Sequence, residues 1–204
     1  MVAAVGYLVL EAVAAAGFRP GYSYARNYIS DLGVNSGGLV HGRMIDSPRA
    51  GFMHSAFYLQ GILFHLGALL IVGIPHSPRA RIFLGLVATN AVGNIVIANV
   101  HSGAPHVAGA VLTIVGGNSA ILAGSAFVGA IAGRRWYRGS SKCIAALGLT
   151  CLAMLMMNSV TANANLLPDG AWERGSVYSI VLWQLLTAAC LLTADFSRVG
   201  RLRA

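Results

Sequence analysis

Long apolar runs, separated by shorter polar segments, dominate the hydropathy pattern of the chain. Each run is long enough to cross a hydrocarbon core of about 30 Å as an α-helix rising about 1.5 Å per residue, and the first run is marginal. The pattern therefore predicts an all-α integral membrane protein that forms a single domain over residues 1–204. The six predicted transmembrane helices lie near residues 2–18, 48–74, 78–100, 105–133, 143–163 and 170–194.

Helix-start signals agree with these runs. Ser47 and Ser77 each precede a proline, in "SPRAG" and "SPRAR". A serine at the N-cap with proline at the first helical position is a common helix beginning. Asp169 caps the sixth predicted helix, and Glu173 follows one turn later, where the helix dipole favours an anion.

The connection between the first two predicted helices, residues 19–47, is unusually long. Its most polar stretch, "YARNYISDLGV", still contains tyrosines and aliphatic residues, which indicates order. Ser23 suits the beginning of a short helix and Gly33 suits its end. We expect an ordered interfacial helix that lies over the outer mouth of the bundle.

Polar residues inside the predicted helices repeat on single helix faces. Because polar side chains are unfavourable against lipid, these faces should point inward. They either hydrogen-bond between helices or line a site, and the pattern leaves both interpretations open. The faces carry His54, Tyr58, Gly61 and His65 on the second helix, Asn90 and Asn94 on the third, and Asn158 and Asn165 on the fifth.

Glu11 interrupts the first apolar run. Glu11 and His65 lie at similar distances from the inner ends of their helices, so we expect Glu11 to face His65 or a polar residue close to it. A buried carboxylate needs a partner or a proton. Glu11 and His65 are therefore candidates for a proton relay, and a neutral, hydrogen-bonded glutamate is the alternative.

Composition supports a membrane location. Of 204 residues, 56% are hydrophobic and only 10% are charged, whereas soluble domains carry about 25% charged residues. The formal charge of +8 does not cluster on a soluble domain, so nucleic-acid binding is not expected.

The placement of basic residues predicts topology. Most of them lie between the second and third helices, between the fourth and fifth, and in the tail, which the positive-inside rule makes cytoplasmic. Both termini are then inside, and the 19–47 loop is outside. The residues are Arg79, Arg81, Arg134, Arg135, Arg138, Lys142, Arg198, Arg201 and Arg203.

With this topology, chemically versatile side chains from distant parts of the sequence meet at the outer face. Asp31 or Glu173 are candidate bases, His54 and His101 candidate proton carriers, and Arg26 or Arg174 candidate anion clamps. Asn27, Ser30 and Asn94 are further candidate ligand-binding residues, and His41 lies on the same side. The alternative is a seal, held by pairs such as Arg26–Glu173 or Asp31–Arg174.

The sequence offers two candidate zinc ligands but no pair of histidines for a haem. His54 and His101 are the candidate zinc ligands, although no two histidines have the i, i+3 or i, i+4 helical spacing of a metal motif. Bis-histidine haem needs matched histidines at one depth, and no second deep histidine accompanies His65. Haem is therefore not expected.

Several stretches resemble one membrane-protein family. "RNYISDLG" in the first loop, "HSGAPH" after the third helix, and "GAWER" followed by "LWQLL" in the sixth look like the prokaryotic family called domain of unknown function 998. The resemblance covers nearly the whole chain. It implies a six-helix protein of a prokaryotic plasma membrane, with no established activity or substrate.

Three functions therefore stay open. The outer cluster binds a lipid or small ligand, or it belongs to an outward-facing hydrolase or transferase acting on a lipid-linked substrate. The third is a small transporter or an accessory subunit of a membrane complex. An inverted repeat would favour transport, and none is visible in the sequence. Membrane lipid is the expected partner, with a second copy or another membrane subunit as further candidates.

Overall fold

A computed structural model describes residues 1–35, 38–40, 43–126, 128, 131–161 and 166–202. In this part of the chain, the predicted all-helical architecture is confirmed with six α-helices. They are α1 Val2–Ala15, α2 Ala50–Val72, α3 Pro78–Asn99, α4 Gly103–Gly124, α5 Arg135–Thr161 and α6 Asp169–Leu202. His41, Asn163, Asn165 and Arg203 lie outside the described residues.

Five of the helices, α2 to α6, are long and apolar enough to cross a membrane. Large aliphatic side chains cover their outward faces, and Leu70 and Val160 are 85% and 86% exposed. Such faces suit lipid rather than water, so the chain is a multi-pass membrane protein. The helix α1 has 14 residues and is therefore only about 21 Å long.

Two helix ends differ from the predictions, because an apolar run and the helix that contains it do not begin and end at the same residues. The predicted start near 143 was wrong, because α5 begins at Arg135 and its first two turns are polar. The predicted end near 133 was also wrong, because α4 ends at Gly124. The apolar run marks the part of a helix that suits hydrocarbon, whereas backbone hydrogen bonding decides where the helix stops.

The two serine caps have different outcomes. Ser77 accepts a hydrogen bond from the Ala80 backbone N–H at 3.2 Å, as predicted for the start of α3. The predicted Ser47 cap was wrong, because α2 begins at Ala50 with no side-chain cap. The Ser47 hydroxyl instead donates to the Leu32 carbonyl at 2.8 Å, which ties the end of the loop to its middle.

The segment between α1 and α2, called the α1–α2 loop below, is not the single short helix that was predicted. It contains a turn after Ser23, a 3-10 helix over Ser30–Gly33, and a hairpin of β1 Gly38–Val40 and β2 Arg43–Ile45. Asp31 accepts from the Tyr28 backbone N–H at 3.0 Å, which favours the tight turn. The hairpin has no strong sequence signal.

Consecutive helices run in alternate directions, which brings three connections to one end of the bundle. The α1–α2 loop, the α3–α4 connection at His101 and the start of α6 at Asp169 meet there, and this end is called the loop side. Close α3–α4 packing depends on small residues of α4. A Cβ on Gly109 or Gly116 would lie within 3.0 Å of α3 atoms.

Candidate functional site

Arg174 joins the α1–α2 loop to the first turns of α6. Its side chain is buried, and Nη1 donates to the backbone carbonyls of Tyr24 at 2.6 Å, Asn27 at 2.8 Å and Gly170 at 3.1 Å. Its guanidinium carbon also lies 4.8 Å from the centroid of the Tyr24 ring. One cation thereby satisfies the loop carbonyls of Tyr24 and Asn27.

The same guanidinium forms a buried ion pair. Nη2 of Arg174 lies 3.3 Å from Oε1 of Glu11, and Oε2 of Glu11 accepts from the Tyr178 hydroxyl at 2.8 Å. Glu11 is 1% exposed. Nη2 also donates to the Tyr22 hydroxyl, which donates in turn to the Tyr28 carbonyl at 2.8 Å. Burial raises the pKa of Tyr22 above its ordinary value, so this hydroxyl keeps the proton it donates.

The prediction that Glu11 faces His65 was wrong. Glu11 meets α6, whereas His65 lies half-buried on α2, and its Nδ1 makes no hydrogen bond among the described residues. Equal depth along two helices does not set the direction in which each side chain points around its axis. The predicted inward position of Glu11 is confirmed, and a relay role for either residue stays a prediction.

Asn27 and Asp31 stabilise the loop locally. Asn27 accepts from the Ser23 backbone N–H at 2.9 Å, and its Nδ2 donates to Asp31 at 3.4 Å. Asp31 is buried, while Arg26 is exposed. These contacts favour a structural role for Asp31, whose lone pairs hold the backbone of the loop.

Glu173 and Ser30 line a cavity under the α1–α2 loop. Oε2 of Glu173 accepts a hydrogen bond from the Ile29 backbone N–H, which fixes the carboxylate beneath the loop. The expected pairing of Asp31 with Arg174 was wrong, because the acidic partner of Arg174 is Glu11. Among the residues that line the cavity, Glu173 is the acidic one.

His54 and His101 meet as predicted from their shared side of the bundle. Their rings stack with centroids 4.5 Å apart, and Nε2 of His54 lies 2.8 Å from the Gly33 carbonyl oxygen. Burial, and then the neighbouring His54 ring, lower the pKa of His101. Within the described ranges, no group of three or more His, Cys, Asp or Glu side chains converges for a metal ion. Among those described residues, the stacked rings have no third ligand of the kind that a zinc site needs.

The cavity beneath the α1–α2 loop is named the upper cavity, and together with the space open to solvent at its mouth it has a volume of about 490 Å³. Three buried side chains that line it carry polar atoms that make no hydrogen bond within the described part of the chain. These atoms are the Tyr7 hydroxyl, Oε1 of Gln60 and the Thr113 hydroxyl. Leaving such an atom unsatisfied costs about 1–3 kcal/mol, so a bound molecule that satisfies all three would be strongly favoured.

Asn90 and Asn94 complete the polar wall of the upper cavity. Nδ2 of Asn90 donates to the Thr113 carbonyl at 2.6 Å, and Nδ2 of Asn94 donates to the Asn90 carbonyl at 2.9 Å. Because both amide nitrogens are committed, Asn94 has only its side-chain oxygen to offer a ligand. The two inward-facing asparagines of α3 are thus confirmed as a polar face of the bundle.

The match to a family model covers almost the whole chain. The family is described as "Protein of unknown function (DUF998)", and its model matches residues 1–190. The chain belongs to this family. The description of DUF998 assigns no reaction, so the function of this member has to be argued from its site. No curated protein and no solved structure matches the chain.

Sequence reasoning missed Tyr7, Gln60 and Thr113, the three side chains with unsatisfied atoms in the upper cavity. There was a reason in the sequence to single out Gln60, because a glutamine amide within a membrane helix is unfavourable unless it has a partner or binds a ligand. Tyr7 and Thr113 carried little, since a hydroxyl can bond within its own helix or point to the interface. Their convergence depends on how α1, α2 and α4 pack together.

Gly170 tests whether the α1–α2 loop closes the bundle. A Cβ there would lie well under 3.0 Å from backbone oxygens of Asn27 and Ala25. We expect Gly170→Ala to cost about 1–3 kcal/mol and to push the loop away from α6. Hydrogen exchange of the loop amides should then become faster, while the exchange in α3 and α5 stays unchanged.

Gly51→Ala is the matched control for this substitution. A Cβ at Gly51 would meet nothing within 4 Å, although the residue lies near the same loop. Exchange in the α1–α2 loop should remain at the wild-type rate. Equal loop exchange in wild type and Gly170→Ala would contradict the docking role of this contact.

Proposed function

We propose that this membrane protein binds a small monovalent cation in the upper cavity, with Glu173 as the counter-charge. One observation carries the proposal. Tyr7, Gln60 and Thr113 line a single cavity, and each carries a buried polar atom that has no hydrogen-bond partner among the described residues. The cavity also borders one carboxylate, that of Glu173.

The balance of donors and acceptors favours a cation over an anion. The Asn94 amide nitrogen donates two hydrogen bonds, the Asn90 amide nitrogen donates one to the Thr113 carbonyl, and Gln60 has an unsatisfied oxygen. Oxygen atoms are the ligands that alkali and other hard cations prefer, and an ammonium group donates to the same atoms. One carboxylate balances one positive charge, and a buried charge without a counter-charge is unfavourable.

The polar cluster on the loop side acts as the seal of this site. Arg174 is held by loop carbonyls and Glu11, and Asp31 holds the loop backbone. These commitments weigh against a hydrolase in which Asp31 is the base and Arg174 the anion clamp. His54 and His101 remain the residues best placed to carry protons at the rim, since their rings are in contact.

The same proposal includes the topology and the membrane. The α1–α2 loop is placed outside and both termini in the cytoplasm of a prokaryotic cell, with α1 as a sixth, short span. Arg79 and Arg81 at the beginning of α3 support this orientation through the positive-inside rule. The contact of Glu11 with α6 supports α1 as part of the bundle. A thinner bilayer around α1 accommodates its length.

A binding experiment tests the proposal. Purified protein is heated in NaCl, KCl, NH4Cl or choline chloride at one ionic strength. We expect at least one small cation to raise Tm with concentration, whereas choline, which is too large, should not. Binding at about 100 times Kd contributes about 2.7 kcal/mol to the free energy of unfolding. No difference between the small cations and choline would refute the proposed site.

Two variants connect this response to the upper cavity. Glu173→Gln retains an oxygen for the Ile29 N–H but removes the charge, so the cation response should disappear. Thr113→Val removes an unsatisfied hydroxyl, so it should weaken the response without lowering the Tm measured in choline. Asp46→Asn, an acid of the loop that does not line the cavity, is the control and should respond like wild type.

A further inference from the structure

A second cavity lies in the half of the bundle away from the loop side. It is mostly apolar, has a volume of about 620 Å³ together with the space open to its surroundings, and is named the lower cavity. Gln184 is 7% exposed and lines it, yet both atoms of its side-chain amide make no hydrogen bond within the described residues. Leaving these atoms unsatisfied costs about 1–3 kcal/mol each, which an apolar side chain would avoid, so the amide indicates that a polar molecule or ion binds there.

The two cavities follow one another along the same helices. On each of three helices, one residue lines the upper cavity and the residue four positions away lines the lower cavity, which is a displacement of about 6 Å. The pairs are Tyr7 and Ala3 on α1, Gln60 and Phe64 on α2, and Ile180 and Gln184 on α6. Because α1 and α6 run in opposite directions, the steps agree in space.

We propose that the upper and lower cavities are two halves of one path by which the small cation crosses the bundle. This inference rests on the proposed function, since the upper cavity is the site where the cation binds. It adds that the cation bound in the upper cavity also moves through the bundle. The cation would leave Glu173, cross the boundary between the cavities, and meet the side-chain oxygen of Gln184 before release at the end of the bundle away from the loop.

An apolar layer closes the path between the cavities. Phe64 and Trp183 pack edge to face with ring centroids 6.2 Å apart, and Ile180 belongs to the same buried apolar cluster, about one turn nearer to the upper cavity. A narrow apolar constriction excludes water and ions until its side chains move. Since the layer is only about one helical turn thick, rotation of a few side chains is sufficient to open it.

The difference between the cavities suits transport rather than storage. The upper cavity borders a carboxylate, whereas the residues that line the lower cavity include no acidic side chain. A permeating ion must be held well enough to enter and weakly enough to leave. A strong site followed by a weak one meets both requirements.

A flux assay in proteoliposomes tests the path. The vesicles carry a gradient of whichever small cation raises Tm, and a dye inside reports entry. Phe64→Ala thins the closed layer and should raise the flux about tenfold, which is about 1.4 kcal/mol off the barrier. Gln184→Leu should lower the flux at least fivefold. Both should keep the cation-induced rise in Tm, because neither removes Glu173.

The control is Leu66→Ala, which truncates an exposed residue of α2 close to the layer. Its flux should equal that of wild type. Phe64→Leu, a smaller change, serves if Phe64→Ala does not fold, and it should raise flux in the same direction. If every variant matches protein-free vesicles while the cation still raises Tm, the path is overturned and the binding site stands. If no cation raises Tm, the proposed function fails first.

Discussion

Arg174→Met should lower the free energy of unfolding by about 3–5 kcal/mol. The substitution leaves the Glu11 carboxylate buried without its cation, and breaking one partner of a buried pair costs about this amount. It also leaves the loop carbonyls of Tyr24 and Asn27 without their donor. Thermal and denaturant unfolding of the purified protein in detergent would measure the loss.

A matched control and a double variant separate charge from packing. Arg79→Met removes an exposed arginine and should change stability by less than about 0.5 kcal/mol. Adding Glu11→Gln to Arg174→Met should recover part of the loss, because it removes the unpaired charge. A double variant as unstable as the sum of the two single variants would show that Glu11 and Arg174 are not coupled.

Gly148→Ala should cost about 2–4 kcal/mol. A Cβ at this position of α5 would lie well under 3.0 Å from the side-chain oxygens of Asn118 and Ser179. These two are joined by a hydrogen bond of 2.8 Å between α4 and α6. The methyl group would both overpack the three-helix contact and separate this pair. The fall in Tm is the measurement.

Gly139 provides the control on the same helix. It is exposed on α5, and a Cβ there would meet nothing within 4 Å. Gly139→Ala should therefore stabilise the protein by about 0.5–1 kcal/mol, as expected for alanine in a helix. A Gly148→Ala protein as stable as Gly139→Ala would mean that α4, α5 and α6 do not pack as closely as described.

The Arg174→Met prediction bears on what the loop-side polar cluster does. Glu11, Tyr22 and the two Nη atoms of Arg174 satisfy one another and the loop backbone, which makes the cluster a closure over the upper cavity. The residues with unsatisfied atoms lie underneath, at Tyr7, Gln60 and Thr113. In the proposed function, chemistry is therefore expected below the loop rather than within it.

Local sequence was sufficient for the helices and insufficient for their contacts. Apolar length predicted α2 to α6, and the Ser77–Pro78 pair predicted the start of α3, because each depends on neighbouring residues. The loop hairpin was missed, and Glu11 was placed beside His65 when its partner is Arg174. Side chains far apart in the chain meet only after the helices have chosen their neighbours and rotations.

The hydropathy of this chain decides that it enters a membrane as a set of helices, because burying backbone hydrogen bonds in lipid allows few other structures. The sequence pattern also puts the polar faces inward. Packing alone decides the rest. It decides which polar atoms are satisfied, such as Nη1 and Nη2 of Arg174, and which stay unsatisfied at a cavity, such as those of Gln60 and Gln184. The outcome depends on distances between helices that no local pattern encodes.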